Sequence, residues 1–333
     1  LPFEEKDVNV YRESMDENET VKVRFHEDTP NVPYVGIKQF YDTFMLGSMK
    51  IEQDGSYKCT LTSDGGQTAE LDAINGIFTT ADFDGFVTLP KLISGGGITL
   101  SYGLAPYLQF DREEILREGK PVSIDIGKYG IDIYAKYDDV YLPLATISDL
   151  FENGKNFRVE YNGKNIYVVD GSGILYSSSA KDSDPDYLTP LKSSDKRPSD
   201  LAEFTYKELC FSLDTFYGFP GSAPLNDAVK EQGLDKALEA HDKTIKELLL
   251  SQDTKEYLAG LHLLFDGALD DKGHTQFADW INLALSDDDF SAEVLCSVCG
   301  SPRRQSRLRL SEGGIFFCPA VVKPSDIKAT PHK

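Results

Sequence analysis

The chain has no run of about eighteen apolar residues, so no stretch is long enough to cross a bilayer as a helix. No signal peptide is visible, and the first residue is Leu1 rather than Met. That is the start expected of a mature or trimmed exported protein. Basic charge is scarce: 34 Lys and Arg stand against 55 Asp and Glu, a formal net charge of -21. Nucleic acid and anionic membrane surfaces bind through basic patches, so this balance excludes nucleic acid as the expected partner. Cysteine is also scarce. Only Cys59 and Cys210 precede Cys296, Cys299 and Cys318, and an odd, uneven set of five is no disulfide framework. The P-loop is missing too, because "SGGGI" at 94–98 lacks the Lys-Ser/Thr that would hold a phosphate.

Core-forming residues are present in quantity. Apolar residues make up 40% of the 333, enough for two or three domains with real cores. The 17 Tyr and 19 Phe cluster in β-patterned stretches, so they read as sheet and core residues. "ETVKVRF" (19–25) alternates Val21, Val23 and Phe25 with charge, the period of a half-buried strand. "GSYKCTLTSDGGQTAEL" (55–71) predicts two strands around an "SDGG" turn. "PVSIDIGKYGIDIYAKYDDVYLPL" (121–144) alternates on both sides of a turn at Lys128–Gly130. "FRVEYNGKNIYVVD" (157–170) predicts a hairpin with Asn162-Gly163 at its turn.

A weak internal repeat runs through this half. "NVPYVGIKQFYDTF" (31–44) and "DVYLPLATISDLF" (139–151) each give a short strand, then an amphipathic segment, then a hairpin. Such strand–helix–hairpin units resemble the stalk-type modules of secreted bacterial proteins, among them the amine oxidase N-terminal domain.

After a Ser-, Asp-, Lys- and Pro-rich stretch the period becomes helical. "YKELCFSLDTFYG" (206–218) carries Leu209, Cys210, Leu213, Phe216 and Tyr217 on one face, stopped by Gly218 and Pro220. "GLDKALEAHDKTIKELLL" (233–250) reads as one amphipathic helix. The next helix has Asp253 as N-cap and Glu256 three residues on, a capping box.

The acidic pairs Asp270–Asp271 and Asp287–Asp289 lack the spaced oxygen ligands of a calcium loop, so solvated turns are the simpler reading. Cys296-x-x-Cys299 is half a zinc knuckle. Cys318 lacks a partner at suitable spacing, so no metal or other cofactor is expected. His241 and His262 fall inside amphipathic helices and read as packing residues. His274 is different, since it sits in a glycine-bounded polar turn. No serine has the sharp turn, base and amide donors that a hydrolase nucleophile needs.

The helical stretch resembles the region preceding the catalytic domain of C-terminal processing peptidases, the S41 family of serine peptidases. The resemblance lies in "YGFPG" (217–221), "GLDKAL" (233–238) and the turn of Asp271, Gly273, His274 and Thr275, with Lys272 inserted between the Asp and the Gly. It implies peptide-bond hydrolysis by a serine nucleophile with a lysine base or a His/Glu relay, acting on a peptide or protein substrate. In the family those catalytic residues lie well beyond this turn. Only 58 residues follow Thr275 here, and none matches the nucleophile motif, so no catalytic residue carries over. Asp271, Gly273, His274 and Thr275 inherit a structural or groove-lining role.

The last 38 residues differ in kind. Residues 296–333 hold seven Arg and Lys against two acids, a net of +5, which leaves -26 for residues 1–295. Four of the ten arginines fall within 303–309. Out-of-frame translation of a GC-rich gene gives such a composition, so a frame shift near residue 295 is the expectation. The reading is then an α+β protein with a β-rich accessory module (1–120), a second stalk-like α+β module (121–190) and a linker (191–203). A helical bundle (204–290) and an atypical basic tail (291–333) follow. The expected function is that of a truncated, non-catalytic S41-type protein, exported or on the cell surface. The alternative is an extracellular scaffold that binds peptide or cell-wall polymer, with "LSYGLAPYLQF" (100–110) as one candidate surface. The oligomeric state is not encoded in any of these patterns.

Overall fold

The computed structural model describes residues 3–11, 19–45, 48–55, 57–87, 121–136, 138–152, 157–161, 163–170, 196–218 and 223–270. The fold is α+β, as the sequence predicts. Strands β1 (Phe3–Tyr11), β2 (Glu19–His26) and β3 (Thr29–Gly36) lead into helix α1 (Ile37–Phe44). Strands β4 (Met49–Asp54), β5 (Lys58–Ser63), β6 (Thr68–Asp72) and β7 (Ile77–Thr80) follow, then the short helix α2 (Phe83–Val87). Next come β8 (Val122–Asp125), β9 (Tyr134–Lys136), β10 (Asp139–Pro143), helix α3 (Leu144–Glu152), β11 (Phe157–Tyr161) and β12 (Ile166–Asp170). The helical part comprises α4 (Ser199–Phe216), α5 (Pro224–Gln232), α6 (Leu234–His241), α7 (Lys243–Leu249) and α8 (Thr254–His262). Among the described residues no helix is long and apolar enough to cross a membrane.

The strands form a seven-stranded sheet, β11-β12-β1-β2-β3-β10-β9, and a five-stranded sheet, β4-β5-β6-β7-β8. The chain divides into two compact units: Leu1–Lys6, Val23–Asp28 and Pro33–Glu152 in the first, Asp7–Lys22, Thr29–Val32 and Asn153–Lys333 in the second. β8 continues the sheet of β4 to β7.

In the first unit, strand alternation decides which side chains reach the core. Cys59, Leu61, Leu71, Phe78 and Ile124 are buried, while Glu70 and Ser123 on the opposite face are exposed. Phe78 meets Phe86 of α2 at 5.7 Å and Phe151 of α3 at 6.2 Å, and Phe151 meets Tyr41 of α1 edge-on at 5.7 Å. Each fully buried Phe contributes about 1.5–3 kcal/mol by leaving water, so this cluster accounts for much of the unit's cohesion. The turn expected at Lys128–Gly130 is a 3-10 turn at Gly127–Tyr129, closed by Gly130 at φ 69. The strands on its two sides do not pair with each other: β8 pairs β7, and β9 pairs β10.

In the second unit, β11 and β12 form the predicted hairpin, with Tyr161 opposite Ile166 and Gly163 at φ 93. β12 lies parallel to β1, with Val10 opposite Ile166. The stretch read as one helix over 233–250 is two. Asp242 leaves the helical region (φ -157, ψ 100), and its carboxylate accepts the Thr244 amide to start α7. Helix α4 begins at Ser199, so the last part of the expected linker is helical.

Candidate functional site

The described residues that flank the peptidase-like motifs lie in the second unit, and its helices bring them together. Helix α4 ends at Phe216, with Tyr217 in extended backbone. The Tyr217 ring packs edge-on against Phe265 at 6.3 Å. Phe265 belongs to Leu263–Ala268, a π-helical segment directly after α8. Such one-residue expansions of a helix are rare and concentrate at functional sites. The segment closes with the Leu269 amide donating to the Leu264 carbonyl at 2.8 Å, and both leucines are fully buried. Asp270 then takes a left-handed conformation at φ 51. That is uncommon outside glycine, though Asp is among the residues that tolerate it.

One side chain fixes this exit. Asn226 of α5 is 1% exposed, and its Nδ2 donates to the Leu269 carbonyl at 3.1 Å. Its Oδ1 is buried without a hydrogen-bond partner among the described residues. A buried amide with one end unsatisfied costs free energy, so the bond that Nδ2 makes must offset that cost. Asn226 escapes a sequence reading because nothing local marks it: it follows Pro224-Leu225 at a helix start, where Asn is unremarkable.

The "GLDKAL" piece is positioned from a distance. Gly233 stands before α6 at φ 85 and has no side chain to cap it. Asp214 of α4 supplies the cap, accepting the Leu234 amide at 2.8 Å. A Cβ on Gly233 would sit 2.7 Å from that carboxylate, so glycine is required for backbone and space alike.

Tyr206 of α4 donates to Asp235 of α6 at 2.8 Å, and Lys246 of α7 bonds both Asp235 and Glu239 at 2.8 Å. The three helices are thereby tied at one corner. Burial pushes the Asp235 carboxyl up, but the hydrogen bonds from Lys246 and Tyr206 outweigh it and hold the group below its ordinary value. Burial also pushes the neighbouring Cys210 thiol up to about 12, so it is no thiolate nucleophile.

Arg197 ties the approach to α4 onto the α7–α8 corner. Its Nη2 donates to the Leu249 and Ser251 carbonyls at 3.3 and 2.5 Å, and its guanidinium stacks on Tyr257 at 3.8 Å. The Asp253 cap of α8 forms as predicted, accepting from Lys255 and Glu256 amides. The reciprocal half of the capping box does not form, because Ser251 Oγ donates to Glu256 and accepts the Asp253 amide.

The four predicted residues themselves, Asp271, Gly273, His274 and Thr275, lie outside the described residues, as do Cys296, Cys299, Cys318 and the 100–110 segment. Among the described residues no group of three His, Cys, Asp or Glu side chains could hold a metal ion. Comparison with known proteins finds no family model, no curated protein and no solved structure that matches the chain.

Proposed function

We propose that this chain is the accessory and helical region of an S41-type serine peptidase, exported or cell-surface, and that as it stands it hydrolyses no peptide bond. The observation that supports this reading is the convergence of the three motif flanks. Tyr217 of "YGFPG" packs on the π segment, Asp214 caps the helix of "GLDKAL", and Asn226 holds the carbonyl two residues before Asp271. A helical region that presents a turn to a catalytic domain needs that turn's stem to be rigid, and these contacts make it so. Asp271, Gly273, His274 and Thr275 would then shape the entrance to a peptide groove. The partner is a peptide or protein substrate. The acidic balance argues against nucleic acid. No cofactor is required.

The inactivity rests on the sequence: no serine here has the family's nucleophile setting, and the basic tail reads as out of frame. The test is translation of the gene beyond codon 295 in the other two frames. A Gly- and Val-rich segment with a serine on a turn supports the proposal. Two frames without one overturn it.

A further inference from the structure

We propose that Asn75 is a deamidation site restrained by Asp72, and that its reaction releases the β8 end of the five-stranded sheet. The site is the turn between β6 and β7. Asp72 opens the turn. One of its carboxylate oxygens accepts the backbone amides of Ile74 at 3.1 Å and Asn75 at 3.0 Å. The other accepts from Asn75 Nδ2 at 2.8 Å. These bonds, the Asn75 backbone amide first, hold the Asp72 carboxyl below its ordinary value, so it is a charged acceptor at neutral pH. Gly76 closes the turn at φ 66, a left-handed conformation that suits glycine. Asn75 itself is exposed. The Gly76 amide donates to no acceptor among the described residues.

An exposed Asn followed by Gly is the pair most open to this reaction, because no Cβ shields the nitrogen that attacks. The Gly76 nitrogen adds to the side-chain carbonyl carbon of Asn75. The new nitrogen–carbon bond forms as the bond from that carbon to Nδ2 breaks. Nδ2 leaves as ammonia, carrying the proton that Gly76 gives up through solvent. Water then opens the five-membered imide at either carbonyl, and the product is aspartate or isoaspartate. The attack requires the Asn75 side chain to leave Asp72 and turn toward Gly76. The 2.8 Å bond to Asp72 is therefore the restraint.

Neither product fits the turn. The Gly76 carbonyl accepts the amides of Ile126 at 2.8 Å and Gly127 at 3.1 Å, which docks the end of β8 onto it. The two backbones touch there. A Cβ on Gly76 would lie 2.6 Å from the Gly127 Cα, and one on Gly127 would lie 2.6 Å from the Asn75 carbonyl oxygen. Isoaspartate adds a carbon to the main chain between residues 75 and 76, where there is no space for one. Aspartate sets a second carboxylate against Asp72 in place of the donor, and the two repel. β8 is the last strand of its sheet among the described residues, so β7 and this turn are its anchors. The turn carries none of the peptidase-like motifs, and the proposal stands whether or not that reading holds.

The test incubates the full chain and the free peptide LDAINGIF, residues 71–78, side by side at mildly alkaline pH. Peptide mapping by mass spectrometry then follows isoaspartate at residue 75. The expected result is isoaspartate in both, formed more slowly in the folded chain. Asp72→Ala is expected to speed the reaction in the full chain about fivefold or more, because the hydrogen bond to the carboxylate is lost. Asn75→Asp supplies one product outright. It should show faster amide hydrogen exchange at residues 122–127, while β4 and β5 keep their protection. The comparison of chain with peptide needs no variant, so misfolding cannot obscure it. No isoaspartate at residue 75 once the peptide has converted fully, or equal rates in chain and peptide, would overturn the proposal. So would an unchanged rate in Asp72→Ala, or unchanged exchange at residues 122–127 in Asn75→Asp.

Discussion

Asp139 caps helix α1 from about a hundred residues away in sequence, and Gly36 leaves the room for it to do so. The carboxylate accepts the amides of Lys38 at 3.0 Å, Gln39 at 3.3 Å and Val140 at 2.8 Å. Gly36 stands at the N-cap with no side chain to offer, and a Cβ there would run into the Asp139 carboxylate. Its φ of -71 is open to any residue, so space alone requires glycine. Gly233 and Asp214 repeat the device in the second unit. Both helices begin on a glycine and borrow an aspartate.

Removing either partner should therefore be costly. Asp139→Ala leaves three amides of a buried site without an acceptor, and a loss of about 1–3 kcal/mol is expected. Gly36→Ala forces the carboxylate aside and should cost a similar amount. The double variant should cost less than the sum, because one interaction is removed twice. Urea unfolding of the four proteins measures all three quantities.

Asp139 also gives stability a pH dependence of unusual sign. Burial pushes its carboxyl above the ordinary value, and the amide bonds from Lys38, Val140 and Gln39 only partly oppose this. The folded state thus holds the proton more tightly than the unfolded one. The group's contribution is greatest below the ordinary carboxylate range of about 3.9, and it falls as pH rises through the folded value. Asp139→Asn does not titrate. The stability difference between wild type and this variant should shift against wild type as pH is raised from that range, in parallel urea titrations.

Asp235 should behave in the opposite way. Its carboxyl is held low, so its contribution is present above the ordinary range and is lost as pH falls through the folded value. Tyr206→Phe removes one of the bonds responsible and should cost about 0.5–1.5 kcal/mol. Lys246→Met should cost less, about 0.2–1 kcal/mol, because Asp235 is half exposed and the pair is screened by solvent. Chemical denaturation at neutral pH ranks the two.

How legible was this in the sequence? Local patterns carried well: β2, the β11–β12 hairpin and the Asp253 cap all follow from alternation, an Asn-Gly turn and a capping residue. Non-local ones did not. The borrowed caps are invisible because Asp139 and Asp214 lie far from the helices they serve. The break at Asp242 looked like the charged face of one long helix, since a single Asp there reads equally as surface or as cap. β8 and β9 alternate on both sides of a turn, and nothing in their pattern says that they join different sheets. At the candidate site, Asp271, Gly273, His274 and Thr275 lie outside the described residues, and Asn226, which bonds the Leu269 carbonyl just before them, carries no mark of its own in the sequence.

Asn226→Ala should loosen that stem specifically. It removes the bond to Leu269 along with the unsatisfied Oδ1, so a modest net loss of about 0.5–1.5 kcal/mol is expected. Faster amide hydrogen exchange should appear at Leu264–Asp270, while β-sheet amides keep their protection. Unchanged exchange in that segment would remove Asn226 from the account.

The proposed function, a serine-peptidase-like region without a working nucleophile, is open to one direct test. The direct measurement incubates the full chain with a fluorophosphonate probe and, in parallel, with casein. The account predicts that no serine is labelled and no casein is cleaved. Stoichiometric labelling of one serine, accompanied by cleavage that the probe abolishes, would contradict it.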